Sequence, residues 1–148
     1  VVTLDADGQH RPEEIPRFLD AAGEADLVVG NRMAARGDMP FVRWWTNRVM
    51  SWIVSWLAGA RIPDSQVGYR LVRLAAWKQL DVKTSNFDFE SEMLVSAGRQ
   101  GLRLAFVPVS TVYAGETSQI RCVRDTIRFV RMVWRLWRDG RKVREADA

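Results

Sequence analysis

Two aspartates one residue apart, Asp5 and Asp7, directly follow the apolar run Val1-Val2-Thr3-Leu4 and are themselves followed by Gly8 and Gln9. The apolar run reads as a buried strand. An acidic pair at its end lies at the carboxyl edge of a sheet, where open α/β folds bind ligands. Along an extended chain Asp5 and Asp7 point alternately, but a turn containing Gly8 can converge them, with Gln9, on one hard divalent cation such as Mg²⁺ or Mn²⁺. Such a cation would neutralise a departing diphosphate. The alternative is a solvated Asp-Gly turn, since Asp, Gly and Gln are ordinary loop residues. His10, next in the chain, reads as a surface loop histidine and does not enter the candidate ligand set.

A second acidic pair, Glu90 and Glu92, falls in a stretch with helical spacing. At i and i+2 on a helix they cannot share a face, so at most one can enter a site. Phe89, Met93 and Ala97 define the buried stripe and leave the two glutamates on its flanks; spacing to Gly101 favours Glu90.

The elements that must position these groups are set by the pattern. Pro12 opens a helix, with Glu13 and Glu14 in its first turn facing the positive helix end. It runs to about Ala22 with Ile15, Phe18 and Leu19 at helical spacing, and residues 26–30 form a second short buried strand. Strand, helix, strand implies a parallel βαβ unit. Residues 31–40 form a loop, and Phe41 to Ala60 a Trp-rich helix ended by Gly59. Residues 62–70 are turn-like and lead through Leu71 to Leu74 into a short helix at about 75–80. A helix from Phe89 to Gln100, a strand from Arg103 to Val109 and a helix from Arg121 to Arg138 complete the chain.

The 148 residues suffice for one compact domain. The chain starts inside an apolar run and without methionine, which reads as part of a longer protein. One cysteine excludes an internal disulfide framework and makes a reducing, cytosolic setting the simpler reading. No stretch has the roughly 20 apolar residues needed to cross a bilayer. A net charge of +4, with arginine concentrated toward the C-terminus, favours an anionic partner.

Asp5-Ala6-Asp7-Gly8-Gln9-His10, Gly30-Asn31-Arg32, Asn47-Arg48, Asp64-Ser65-Gln66-Val67-Gly68-Tyr69-Arg70 and Phe89-Glu90-Ser91-Glu92 occur here in an order that resembles glycosyltransferase family 2, especially its dolichyl- or polyprenyl-phosphate sugar transferases. The likeness extends from Val1 to about Arg131. It implies a type-A glycosyltransferase fold, a Rossmann-like α/β domain with a mostly parallel sheet flanked by helices. Residues 1–118 would be the catalytic, acceptor-side part and 119–148 a basic amphipathic helix and tail. The third of the fold that reads base and ribose would belong to a preceding segment outside these residues.

By the same resemblance, Asp5, Asp7 and Gln9 hold the metal and the donor diphosphate, with Asp7 counted as catalytic. Arg32 and Arg43, assisted by Asn47 and beside Arg48, receive the phosphate of a lipid acceptor, and Asp64, Gln66 and Arg70 belong to an acceptor-side loop. Glu90 or Glu92 occupies the place of a catalytic acid or base. Guanidinium groups suit phosphate because they bind its oxygens bidentately and stay charged. The plainer readings are solvated arginines and an Asp64 that caps the structure after it.

Arg121, Arg124, Arg128, Arg131, Arg135 and Arg138 recur at steps of three and four, one basic stripe on the last helix. Ile127, Phe129, Val130, Met132, Val133, Trp134, Leu136 and Trp137 occupy the rest, the makeup of an interfacial helix drawn to anionic headgroups. Trp44, Trp45, Trp52 and Trp56 add a residue type that favours the headgroup region. The alternative is that both helices are core elements. No nucleic-acid-binding module accompanies the arginines.

The resulting expectation is an inverting, metal-dependent enzyme at the cytoplasmic membrane face, moving a hexose from a GDP- or UDP-sugar to a polyprenyl phosphate. Its rivals are a family 2 transferase acting on a glycan hydroxyl, which needs a true base, and a non-catalytic membrane-binding remnant. Without its base-binding part, the chain alone is expected to hold a metal only weakly.

Overall fold

The computed structural model describes residues 1–6, 8–34, 39–83, 88–110 and 122–146, with side chains in the last stretch described for 126–140. Its elements are strand β1 (Val2–Thr3), a 3-10 turn (Pro12–Glu14) running into helix α1 (Ile15–Ala21), strand β2 (Leu27–Asn31) and a second 3-10 turn (Arg32–Ala34). Then come α2 (Phe41–Ala58), β3 (Arg70–Val72), α3 (Leu74–Trp77), α4 (Asp88–Arg99), β4 (Leu104–Pro108) and α5 (Cys122–Ala146).

The sheet is mixed, in the order β1-β3-β2-β4. β2 pairs in parallel with β4, from Leu27 opposite Leu104 to Asn31 opposite Pro108. β3 is antiparallel to both β1 and β2. This corrects the expected βαβ unit: β1 and β2 share a direction, but β3 lies between them, so they do not pair. The three residues of β3 are too few to display a period, yet all are buried. Leu27 to Gly30 are also buried, which accounts for the continuous apolar run of β2, as expected of a strand covered on both faces.

α1 packs against β2, β3 and β4 through Phe18, while α2, α4 and α5 pack on one another. The helix ends agree with the sequence: Pro40 precedes α2 in an extended conformation, and Gly59, at φ 66°, terminates it in the left-handed region that glycine enters without penalty. Gly98 of α4 faces the Ala58 carbonyl of α2 so closely that a Cβ would lie 2.6 Å from that oxygen. Arg99 then ties two helices together, its Nε donating to the Leu57 carbonyl at 3.1 Å and a terminal nitrogen to the Leu136 carbonyl at 2.8 Å. Glu14, expected to serve the helix end, instead accepts from Ser110 N and Oγ beyond β4.

α5 docks through Phe129, Met132 and Leu136, which are buried, while Ile127, Val130, Trp134 and Trp137 remain exposed. Its basic stripe is divided: Arg131 and Arg138 are exposed, whereas Arg135 turns inward to Glu92 at 3.1 Å. Arg121 and the Arg124 side chain lie outside the described residues, as does the expected boundary at 118. Among the described residues no helix is long and apolar enough to cross a membrane.

Candidate active site

Two clusters of the expected residues form, and they adjoin. The first surrounds an open cavity of about 140 Å³ whose walls include Asp5, Gly68, Arg70 and Glu90, with Trp77 and Phe89 as aromatic sides. Asp5 stands just past β1, Arg70 opens β3 opposite Thr3, and Glu90 projects from the first turn of α4. β1 and β3 are thus the frame that carries the acidic turn and the arginine.

The Asp5 carboxylate is fixed from two sides. His10 Nε2 lies 3.3 Å from Asp5 Oδ2. On the other side the carboxylate rests on the Gly68 backbone, where a Cβ would come within 2.4 Å of both its oxygens. The absence of a side chain at Gly68 is what permits this close approach. The hydrogen bond from His10 holds the Asp5 carboxyl below the ordinary carboxylate range against partial burial, and the charges of Arg70 and Arg32 act in the same direction. Asp5 therefore stays ionised at the cavity mouth.

His10 is buried, at 8% exposure, which corrects its reading as a surface residue. Its ring meets Tyr69 at 5.2 Å, Tyr69 stacks on Phe18 at 4.3 Å, and Tyr69 Oη donates to the Arg11 carbonyl at 3.0 Å. The reason for its burial is a partner far along the chain, which no local pattern announces.

Arg70 is 2% exposed, and among the described residues neither its Nε nor one terminal nitrogen has a hydrogen-bond partner. Its nearest acid is Glu90, at 3.8 Å. Burial pushes the Arg70 guanidinium down from its ordinary value, with Glu90, Asp64 and Asp5 opposing. Burial likewise raises Glu90 above the usual carboxylate range; Arg70 opposes this and Asp5 adds to it. The two glutamates separate as the helical spacing required: Glu90 reaches the cavity, while Glu92 is buried on the other flank of α4 against Arg135.

In the second cluster Arg32 and Asp64 form a buried fork. Arg32 Nε donates to Asp64 Oδ2 at 2.9 Å and a terminal nitrogen donates to Oδ1 at 3.0 Å. The Arg32 and Gln66 amides also donate to the same carboxylate, and the Arg32 guanidinium reaches the Gln66 carbonyl at 2.6 Å. Gln66 Nε2 continues to Ser65 and to Ser91 of α4. Ser51 of α2 accepts from the Ser65 amide at 2.9 Å, fastening the loop to that helix. Asp64 is thus the centre of a loop anchor rather than a cap for the next element.

Of the α2 residues, Asn47 is buried with an Nδ2 that has no partner among the described residues, Arg43 is half-buried, and Arg48 is exposed over the Trp44 ring at 5.4 Å. None of the three lines the cavity.

Asp7 lies outside the described residues. Among the described residues no three His, Cys, Asp or Glu side chains gather as a metal site. The donor chemistry nevertheless fits a hard cation: Asp5 offers a charged, half-exposed carboxylate, and Gln9 stands four residues on.

This fold and site accompany a relationship to one class of enzyme: by sequence the chain is a homologue of glycosyltransferases named for polyprenyl and dolichyl phosphates. It is 36% identical over 120 residues to the undecaprenyl-phosphate mannosyltransferase of Micrococcus luteus, a match covering 76% of this chain and 49% of that protein. It is 32% identical over 119 residues to the UDP-N-acetylglucosamine--dolichyl-phosphate N-acetylglucosaminyltransferase of Methanococcus voltae, covering 76% and 47%. With the dolichyl-phosphate hexose transferase of Haloferax volcanii it shares 31% over 120 residues, covering 79% and 52%. The chain spans about half the length of these relatives. No family model matches it.

Proposed function

We propose that this chain is the acceptor-side part of an enzyme that transfers a hexose from a GDP- or UDP-sugar to a polyprenyl or dolichyl phosphate, with inversion, in a type-A glycosyltransferase fold. The observation that carries the reading is the shared lipid-phosphate acceptor in the names of relatives at 31–36% identity. The cavity is chemically compatible with it. Arg70 lines the cavity, two of its buried nitrogens have no hydrogen-bond partner among the described residues, and a guanidinium there would attract a phosphate.

A phosphate monoester is already anionic near neutral pH, so positioning by Arg70 matters more than proton removal. Asp5 and Gln9, with Asp7, would hold Mg²⁺ or Mn²⁺, which when bound supplies positive charge against the leaving diphosphate. Arg32, clasped by Asp64, acts through the field it adds at Asp5 and through the loop it fastens.

The outer faces of α2 and α5 support seating at an anionic membrane surface. Val42, Trp45, Val49, Trp52 and Trp56 recur at steps of three and four and are all exposed, Trp52 at 70%. The buried side of the same helix carries Asn47 and Ser51 beside Val54, Leu57 and Ala58, so α2 is apolar on its outer face as well as toward the core. Arg48 of α2 and Arg131 and Arg138 of α5 are exposed. Tryptophan and arginine together favour the headgroup zone.

Glu90 favours a second reading, transfer to a glycan hydroxyl, because a carboxyl with a raised pKa at the cavity suits a general base. Glu90→Gln separates the two. With a lipid-phosphate acceptor the whole protein is expected to lose less than about tenfold in kcat, whereas a hydroxyl acceptor would lose roughly 10²- to 10⁴-fold. Product formation on soluble glycans but not on undecaprenyl phosphate would refute the first reading.

A further inference from the structure

We infer that His10 is a positioning residue: its ring, wedged against Tyr69, holds Asp5 through Nε2–H in the orientation in which that carboxylate meets a divalent cation. The inference rests on the reading of Asp5 as a metal ligand.

An ionised carboxylate only accepts, so the proton between His10 and Asp5 belongs to Nε2. His10 Nδ1 is buried without a partner, so among the described residues Asp5 is the single hydrogen-bonding contact of the ring. A buried ring nitrogen without a partner costs free energy, and the alternative tautomer would add to it by turning a lone pair toward the carboxylate. What fixes the ring plane is aromatic: Tyr69 at 5.2 Å, itself stacked on Phe18 and bonded to the Arg11 carbonyl. The chain from Phe18 through Tyr69 and His10 to Asp5 thus runs from the core to the cavity mouth.

The carboxylate also packs so closely on Gly68 that a Cβ there would lie 2.4 Å from both oxygens, which limits how it can turn. His10 and Gly68 therefore set the Asp5 rotamer between them. Hydrogen bonds to ligating carboxylates tune metal affinity, and losing one typically weakens it roughly 10- to 100-fold.

The test measures Mn²⁺ affinity by titration calorimetry in the whole protein, as wild type, His10→Phe and His10→Gln, with Tm of each. His10→Phe keeps an aromatic ring against Tyr69 and removes the donor. His10→Gln places an amide nitrogen near the position of Nε2. The expected result is a roughly 10- to 100-fold loss for His10→Phe, recovery of most of it in His10→Gln, and little change in Tm. Equal Mn²⁺ affinity in His10→Phe and wild type overturns the inference, as does a His10→Gln as weak as His10→Phe with Tm intact. A wild type that binds no Mn²⁺ overturns the metal reading beneath it, a distinguishable failure. A readout without metal is the ¹⁵N spectrum of His10 at neutral pH, assigned by its loss in His10→Gln: a protonated Nε2 and bare Nδ1 support the inference, and the reverse tautomer contradicts it.

Discussion

Arg32 and Arg70 are both buried, and they are buried differently. Arg32, 6% exposed, is gripped by both oxygens of Asp64 and by the Gln66 carbonyl. Arg70, 2% exposed, has a glutamate 3.8 Å away and two nitrogens without hydrogen bonds to any described residue, at the edge of a cavity. A guanidinium taken out of water is tolerated only when its donors are met. The first arginine is met within the fold and acts as an anchor; the second pairs with Glu90 and has two nitrogens with no hydrogen-bond partner among the described residues. A third pair sharpens the contrast. Arg103 and Asp26 repeat the fork, at 3.1 and 3.0 Å, on the exposed surface.

The largest expected effect comes from breaking the anchor. Asp64→Ala strands Arg32 in the interior and is expected to destabilise the protein by about 3–5 kcal/mol in urea unfolding, as for other buried pairs that lose one partner. A loss below about 1 kcal/mol would mean that Arg32 is not truly dependent on Asp64.

Arg70→Met should cost far less. It removes a buried guanidinium with two nitrogens unbonded among the described residues but also the 3.8 Å partner of Glu90, and the two effects offset, leaving stability within about 1 kcal/mol of wild type. Transfer to a lipid phosphate should fall by about 2 kcal/mol of transition-state stabilisation, roughly 30-fold in kcat/KM, the worth of a charged hydrogen bond. Gly68→Ala stands between these two cases. Its Cβ would collide with the Asp5 carboxylate, and a cost of about 1–3 kcal/mol in stability is expected, together with loss of divalent-metal binding.

The smallest effect belongs to the surface fork. Asp26→Asn should cost about 0.2–1 kcal/mol at pH 7 and less in high salt. Arg103 lowers the Asp26 carboxyl to about 2 from an ordinary value of 3.8. The folded form has the lower pKa, so the pair stabilises above about pH 3.8, and that contribution is lost as pH falls toward 2. Wild type and Asp26→Asn should therefore converge in stability across that window in acid-titrated melts.

Much of this was legible in the residues. The acidic turn at a strand end, the places of the helices, the stop of α2 at Gly59 and the split of Glu90 from Glu92 arise from short-range periodicity and turn chemistry, whereas α5 runs past the expected end at Arg138 to Ala146 and the short helix expected at about 75–80 is Leu74–Trp77. The order of the sheet did not, because β3 is three residues long and its place between β1 and β2 depends on pairing with distant partners. Nor did the difference between Arg32 and Arg70: both stand in motifs of the same kind, and only the position of Asp64 decides which is satisfied. Nor does the chain around His10 announce its burial, which depends on Tyr69. The outward Trp stripe of α2 was visible as a tryptophan count, but which side of the helix faced the core was not.

The central claim is that a lipid phosphate is glycosylated at the Arg70 cavity. Its most direct test offers the whole protein GDP- and UDP-sugars with undecaprenyl phosphate and Mn²⁺, comparing wild type, Arg70→Met and Asp26→Asn by mass of the lipid product. Wild type and Asp26→Asn should yield a hexosyl polyprenyl phosphate, and Arg70→Met should lose roughly 30-fold while keeping its fold. Undiminished product from Arg70→Met, or none from wild type with any of the donors, would contradict it.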